Sequence, residues 1–174
     1  MGRQSDEDFR GWAVASRPAL RRTAFLLSGD WFLADDLVQE TLVRMYGAWP
    51  RIDRRDGVTH YSRRVLVNLH LDHRRRPSRR ERPTDDVPDR PCVQDGPADD
   101  DREAVLAALR CVPPRQRAVL VLRFWDDLSV DQTAEVLGIG AGTVKSQTSR
   151  GLVALRSALA AQGVPVAPTL EETS

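Results

Sequence analysis

Four side chains between residues 145 and 150 have the types and the spacing that suit the major groove of DNA. Lys145 and Arg150 are cationic, Ser146 and Ser149 carry short hydroxyl groups, and all four fall on one face of a predicted helix. Cationic side chains bind phosphates and guanine edges, and hydroxyl groups bind phosphates or base edges. The pattern therefore predicts a helix face that contacts DNA.

A helix-turn-helix motif is predicted to position this face. Ser129 and Gln132 have the spacing of a capping box, which begins a short helix. Gly138 marks the end of that helix, where the backbone turns with positive φ. A second helix begins near Ala141, and its inward stripe steps by three or four residues through Val144, Thr148, Leu152, Leu155 and Leu159. The alternative is an ordinary helical hairpin with a solvated polar face.

A second concentration of positive charge lies at residues 63–82. This stretch holds eight Arg against two acidic residues, whereas residues 83–101 hold seven Asp against one Arg. The two runs cancel, so the net charge of the whole chain is only +1. The density of Arg on one predicted helix favours nucleic-acid binding over a solvated basic face. Asn68, set among apolar residues of that helix, is either a packing amide or a base reader.

Residues 35–40, with the sequence DDLVQE, form an acidic segment near the start of another amphipathic helix. Asp35 and Asp36 suit the positive end of the helix dipole, and that structural explanation is sufficient by itself. The alternative is a polar surface that binds the helices of a partner protein.

The chain is predicted to be all-α, with two small helical domains joined by a flexible acidic linker. No alternating strand pattern with hairpin turns occurs. Residues 83–101 are rich in Pro and Asp and hold almost no aliphatic side chains, so they cannot build a core. The predicted boundaries are 6–76 for the first domain, 77–101 for the linker, 102–162 for the second domain and 163–174 for a disordered tail.

Helix starts and stops are predicted from apolar periodicity, capping residues and proline positions. Pro113 and Pro114 separate two helices of the second domain, and Pro114 is expected at the first position of the later one. The expected helices before the helix-turn-helix cover residues 5–28, 33–49, 59–76, 101–111 and 115–127, with a short helix or loop at 50–58.

Several classes of function are disfavoured by the residues that are missing. No glycine-rich phosphate loop follows a strand, and no Ser, His and Asp set has a supporting context. His70 and His73 lack a visible third metal ligand. The sequence therefore predicts no enzyme activity, no catalytic residue, no cofactor, no metal and no small-molecule substrate. The N-terminus lacks a signal pattern, so a cytoplasmic location is expected, with Cys92 and Cys111 as free thiols.

Three stretches, residues 26–49, 61–76 and 109–156, together resemble the sigma-70 family. The similarity is to two-domain extracytoplasmic-function (ECF) sigma factors, in particular the actinobacterial SigE subgroup. The resemblance implies a transcription initiation factor that binds core RNA polymerase through its beta and beta-prime subunits. Such a factor directs the polymerase to promoter DNA and assists melting of the −10 region. ECF factors are usually held by an anti-sigma factor, although the sequence does not show whether this chain has one.

The resemblance also implies roles for individual residues. The first domain would correspond to region 2 of the family and the second to region 4. The region 2 motif that docks on core polymerase matches Asp35, Asp36, Leu37, Val38, Gln39 and Glu40. The −10 contacts match Arg63, Arg64, Asn68, Arg74 and Arg75, with Asn68 reading a flipped base and residues 53–59 helping to form its pocket. The −35 contacts in region 4 match Thr143, Lys145, Ser146, Ser149 and Arg150.

Two other functional classes are weighed against this interpretation. A stand-alone helix-turn-helix regulator resembling the LuxR type explains residues 128–156 but assigns no role to residues 33–76. A protein that sequesters polymerase or another factor without binding DNA leaves the groove-facing side chains at 143–150 unexplained.

Overall fold

A computed structural model of the protein describes residues 3–52, 57–75 and 101–165. Within these ranges the regular elements are all helical, so the all-α prediction is confirmed. The seven α-helices are α1 (Arg3–Ser28), α2 (Trp31–Ala48), α3 (Gly57–Arg75), α4 (Asp101–Arg110), α5 (Pro114–Leu120), α6 (Val130–Leu137) and α7 (Ala141–Ala161). The predicted linker, apart from Asp101, and most of the predicted tail lie outside the described residues.

Helices α1, α2 and α3 pack together as the first helical unit. The turn between α1 and α2 uses Gly29 at φ +70°, and Asp30 caps α2 by accepting hydrogen bonds from the backbone N–H groups of Phe32 and Leu33. This cap explains why α2 begins at Trp31 and not at the predicted Leu33, because the carboxylate satisfies the first free N–H groups. The buried core between the three helices comprises Leu20, Ala24, Ala34, Leu37, Val38, Leu66 and Leu69.

A short 3₁₀ helix, Trp49–Arg51, follows α2. Trp49 is buried with Met45 and Val58, and its ring centroid lies 5.2 Å from that of Phe9 and 5.3 Å from that of Trp12. Aromatic packing of this kind buries a large apolar area. It fixes the C-terminal end of α2 against α1.

The predicted helix over residues 115–127 has two parts in the structure. Pro114 lies in the first turn of α5, as expected, but α5 ends at Leu120 and a π-helical turn, Val121–Trp125, follows. Asp127 then adopts φ 52°, the left-handed region that Asp tolerates better than most residues. The π-helical turn and this residue set the direction in which the Asp126 side chain points.

The helix-turn-helix is confirmed by α6 and α7. Ser129 and Gln132 form the predicted capping box, with hydrogen bonds of 3.1 and 2.8 Å. Gly138 lies at the end of α6 with φ 65° and ψ 36°. Gly151 of α7 lies so close to α5 that a Cβ atom there would be 3.1 Å from Cγ of Leu120. A side chain at position 151 would therefore push the two helices apart.

The two helical units share buried contacts. Leu27 of α1 and Val67 of α3, both fully buried, belong to one apolar cluster with residues of α4 to α6. The members from the second unit are Leu109, Val112, Ala118, Leu120, Val121, Leu122, Leu128 and Val136. The second unit therefore packs directly on the first.

The expectation of a free thiol is wrong for Cys111, which is disulfide-bonded. Cys92, the only other cysteine in the chain, lies outside the described residues.

Candidate nucleic-acid interface

The outer face of α7 carries every residue of the predicted −35 set. Thr143, Lys145, Ser146, Ser149 and Arg150 are all exposed, whereas Val144 and Gly151 between and beside them are buried. This separation follows from the 3.6-residue period of the helix. Ser146 donates a hydrogen bond to the carbonyl of Thr143 at 3.0 Å. Lys145 and Arg150 are therefore exposed side chains on a regular helix.

Helix α3 presents part of the predicted −10 set. Arg64 and Asn68 are exposed and lie one helical turn apart, so they share a face. Asn68 is thus a surface residue and not a packing amide. Arg74 and Arg75 belong to α3, but the positions of their side chains and the structure of residues 53–56 lie outside the described part of the chain.

Arg63 differs from its neighbour Arg64 because its guanidinium group is already paired. Its Nε donates to Oδ2 of Asp126 at 2.9 Å, while Oδ1 of Asp126 accepts a hydrogen bond from the hydroxyl of Thr23 at 3.0 Å. The Asp126 side chain is only 8% exposed and that of Arg63 is 24% exposed. One carboxylate therefore binds residues of α1 and α3 at once.

The two predicted DNA-reading helices face each other across a small cavity. The cavity has a volume of about 240 Å³, and Asn68 and Asp72 of α3 line it together with Thr143 and Gln147 of α7. The structure therefore brings a predicted −10 residue and a predicted −35 residue to one site, which the sequence did not suggest.

The acidic segment of α2 divides between core and surface. Leu37 and Val38 are buried at 3% and 1% exposure, so they pack in the core and are not part of the exposed surface of α2. Asp36 and Gln39 are exposed. Glu40 accepts a hydrogen bond from Arg44, one turn later, at 2.8 Å.

Asp35 is the paired member of this segment. Arg21 donates to both of its carboxylate oxygens, at 2.6 and 3.0 Å. These hydrogen bonds lower the pKa of Asp35 and raise the pKa of Arg21, because each charged form is stabilised by the other. The Arg21 guanidinium also stacks over Trp31, 4.3 Å from its ring centroid. Asp35 thus ties α2 to α1.

Two features of these surfaces were missed by sequence reasoning. Val43 is 71% exposed and continues the face formed by Asp36, Gln39 and Glu40, since the spacing 36, 39, 40, 43 is one helical stripe. That spacing was readable from the sequence. The role of Asp126 was not, because its partners lie 63 and 103 residues away in the chain.

Other kinds of site find little support among the described residues. Within residues 3–52, 57–75 and 101–165 there is no group of three or more His, Cys, Asp or Glu that could hold a metal ion. Among the helices in these ranges, none is long and apolar enough to cross a membrane.

Comparisons with known families match both units of the chain. Residues 12–80 match the family model for sigma-70 region 2, and residues 102–155 match the model for sigma-70 region 4. The matched ranges contain α2 and α3 in the first case and the helix-turn-helix in the second.

Curated relatives match over most of the chain. The RNA polymerase sigma-E factor of Streptomyces coelicolor is 36% identical over 155 residues, covering 89% of this chain and 88% of the relative. The sigma-E factor of Streptomyces avermitilis is 37% identical over 152 residues, covering 87% and 85%. The ECF RNA polymerase sigma factor SigE of Mycolicibacterium smegmatis is 34% identical and covers 80% of this chain and 56% of that protein.

Solved structures share the arrangement of helices. The sigma factor RpoE from Bartonella quintana, in complex with the anti-sigma factor NepR, superposes with a TM-score of 0.70 at 26% identity and covers 88% of this chain and 98% of its own. CnrH, in complex with the cytosolic domain of CnrY, superposes with a TM-score of 0.64 at 20% identity and covers 90% of each chain.

Proposed function

This chain belongs to the sigma-70 family, in its extracytoplasmic-function (ECF) group, and from that premise we propose how its surfaces act in transcription initiation. The chain is an RNA polymerase sigma factor of the ECF type. It binds core RNA polymerase and directs it to promoters. The predicted domains at 6–76 and 102–162 correspond in this proposal to regions 2 and 4.

The recognition helix α7 is the observation that carries the assignment to DNA. Its five predicted contacts are all exposed on one side of a capped helix-turn-helix. A helix of this kind enters the major groove with its N-terminal half. We assign Thr143, Lys145, Ser146, Ser149 and Arg150 to the −35 element, with the two cations binding phosphates or guanine edges.

Helix α3 is assigned to the −10 element. Arg64 and Asn68 offer a cation and an amide on one exposed face, which suits phosphate binding beside a flipped base. Unstacking that base costs a few kcal/mol, and binding the base in a pocket offsets this cost and favours strand opening. Arg63, Arg74 and Arg75 complete the proposed set.

The exposed side of α2 is assigned to core polymerase. Asp36, Gln39, Glu40 and Val43 form a stripe of acidic and polar side chains with one apolar side chain. Such a stripe suits a partner surface built from helices with basic and polar residues. Leu37 and Val38, which belong to the same sequence motif, position the stripe from the core.

Further properties follow from this assignment. The chain acts by binding and carries no chemistry of its own, and it acts in the cytoplasm, where RNA polymerase is found. An anti-sigma factor is a proposed partner, because the RpoE structure that covers 88% of this chain is a complex with one. The LuxR-like alternative leaves the region 2 match at residues 12–80 unexplained. A protein that only sequesters a partner leaves the exposed side chains of α7 at residues 143–150 without a role.

Co-elution with bacterial core RNA polymerase on gel filtration, at moderate salt and without DNA, tests the proposal first. A stable complex is expected, and run-off transcription with the reconstituted holoenzyme then tests promoter selection. Absence of a complex, together with direct double-stranded DNA binding by the free chain, would contradict the proposal and favour the stand-alone regulator.

A further inference from the structure

Helix α7, every residue of which the structure describes, carries one large apolar side chain on its exposed side. This side chain is Val153, which is 58% exposed. The five residues that the proposed function assigns to the −35 element end at Arg150, about one turn before it. Single exposed apolar side chains are common on protein surfaces, so exposure alone assigns no role to Val153. Its position relative to the proposed DNA contacts does.

Helical geometry places Val153 at the centre of the proposed DNA-contacting face. Successive residues of an α-helix are rotated by about 100°, so residues seven apart differ in direction by only about 20°. Val153 is seven residues after Ser146 and therefore lies almost directly beyond it along α7. Ser149 and Arg150 lie on either side of this line, about 40° and 60° away from Val153. The buried residues of α7 lie on the opposite side of the helix: Val144, Gly151 and Ala158.

The charges around Val153 suit a polyanionic partner. Helix α7 contains three cationic residues, Lys145, Arg150 and Arg156, and no acidic residue. Arg150 and Arg156 are three residues before and three residues after Val153, so a cation stands about one turn away in each direction. In the major groove, phosphates border the base edges on both sides. An apolar side chain between two cations matches that arrangement.

The chemistry of valine limits what Val153 can read in DNA. Its side chain has no hydrogen-bonding group, and the apolar feature that base edges offer in the major groove is the C5 methyl group of thymine. The fold gives Val153 no competing role, because its neighbours Leu152, Ala154 and Leu155 pack against the apolar cluster while Val153 points away from it. A β-branched residue is also less favourable than alanine in an exposed helix.

We infer that Val153 is a sixth DNA-contacting residue of α7 and reads the methyl group of a thymine at the edge of the −35 element. The inference rests on the proposed function, because it needs α7 in the major groove. From Ser146 to Val153 the helix rises about 10 Å, which corresponds to about three base pairs of about 3.4 Å each. The thymine is therefore expected about three base pairs from the base that Ser146 contacts.

Removing the methyl group from the DNA and the valine from the protein tests this contact from both sides. The DNA is a duplex fragment that the unaltered holoenzyme selects from a pool randomised over the −35 element, with each −35 thymine then replaced in turn by deoxyuridine. One of these replacements should weaken binding by the unaltered holoenzyme about fourfold, the change expected when one buried methyl group is lost. Val153→Ala should weaken binding to the thymine fragment at least as much, and deoxyuridine at that position should then cause no further loss.

Val14→Ala is the matched control, because it shortens an exposed valine of α1, outside the proposed DNA-contacting face. Its effect and that of deoxyuridine should be independent, so the fourfold loss should remain in this variant. Both variants should bind core polymerase without DNA as tightly as the unaltered chain does.

The inference is overturned if Val153→Ala and the unaltered chain are equally sensitive to every deoxyuridine, or if the selected element has no thymine on either strand. It is also overturned if Val153→Ala already weakens the complex with core polymerase before DNA is added, because a protein contact then explains the residue. Lys145→Ala with Arg150→Ala separates the two proposals. If that double variant leaves promoter binding unchanged, the −35 assignment of α7 in the proposed function fails. Weakened binding by the double variant without coupling between Val153 and a thymine contradicts this inference alone.

Discussion

Both proposed DNA contacts use cationic side chains. The contacts that each cation makes within the protein determine how readily it can bind a phosphate. Lys145 and Arg150 project from α7 into solvent, whereas Arg63 is committed to Asp126. A cation in solvent reaches a phosphate without first losing a protein partner. We therefore expect Lys145 and Arg150 to contribute more to the salt dependence of promoter binding than Arg63 does.

Replacing Lys145 and Arg150 with Ala should weaken promoter binding by the holoenzyme and flatten its salt dependence. Each phosphate contact that is lost lowers the slope of log K against log salt by about one. Titrations of a labelled promoter fragment at several salt concentrations measure this slope. The control is Arg10→Ala with Arg17→Ala, which removes two exposed cations from α1; equal slopes for the two double variants would contradict the −35 assignment.

Asp36→Arg should weaken the complex with core polymerase, because it reverses the charge of an exposed residue on the proposed docking stripe. A like-charge contact costs affinity at an interface and slows association. Biolayer interferometry with immobilised core polymerase should show at least about a tenfold loss. Glu7→Arg makes the same change at an exposed position of α1. A similar loss of affinity for that variant would contradict the assignment of the α2 stripe to core polymerase.

At the scale of elements, the helix-turn-helix depends on how closely α5 and α7 approach. Gly151 allows this approach, since a Cβ atom there would lie 3.1 and 3.2 Å from two Leu120 carbons and 3.3 Å from Cβ of Gln116. These distances are shorter than ordinary contacts, and Leu120 and Gln116 are both buried. The orientation of α7, and thus of its proposed DNA-contacting face, follows from this packing.

Gly151→Ala should lower the free energy of unfolding by about 1–3 kcal/mol, because the added methyl group overpacks a tight helix contact. Urea denaturation followed by circular dichroism measures the change. Gly11→Ala makes the same substitution in α1, where nothing lies within 4 Å, and should stabilise the chain by up to about 1 kcal/mol through helix propensity. A Gly151→Ala variant as stable as Gly11→Ala would contradict the close packing.

Local signals predicted most of the elements, and the exceptions have identifiable causes. The capping box at Ser129 and the positive φ of Gly138 depend on neighbouring residues alone, so their spacing was sufficient. The start of α2 was misplaced because the cap at Asp30 was overlooked. The π-helical turn at 121–125 was not predicted, because the apolar run through it is compatible with an uninterrupted helix.

At the scale of the whole molecule, regions 2 and 4 are coupled through one apolar cluster. Leu27 of α1 and Val136 of α6 are both fully buried members of it. Two units that share a buried core stabilise each other, so loss of packing at the seam should affect both.

Leu27→Ala should lower the free energy of unfolding by about 2–5 kcal/mol, as expected for a buried leucine. Hydrogen exchange of the free chain should show weaker protection in α5 and α6 as well as in α1, because Leu27 packs with residues of region 4. Leu20→Ala, within the core of region 2 alone, is the control and should leave α6 protection closer to that of the unaltered chain. Equal loss of α6 protection in both variants would contradict a specific seam at Leu27.

The sequence by itself determined the all-α class, the helix-turn-helix and the family, because these depend on periodicity, capping residues and motifs within short stretches. It also predicted which face of α7 is exposed, since helical spacing alone separates Val144 from Lys145. Tertiary structure decided which of the predicted binding residues are free to contact a partner and which are already paired within the protein. It paired Asp35 with Arg21 and joined Arg63 to Asp126 across 63 residues. Such contacts depend on how whole helices pack, and no local pattern encodes a partner that lies so far along the chain.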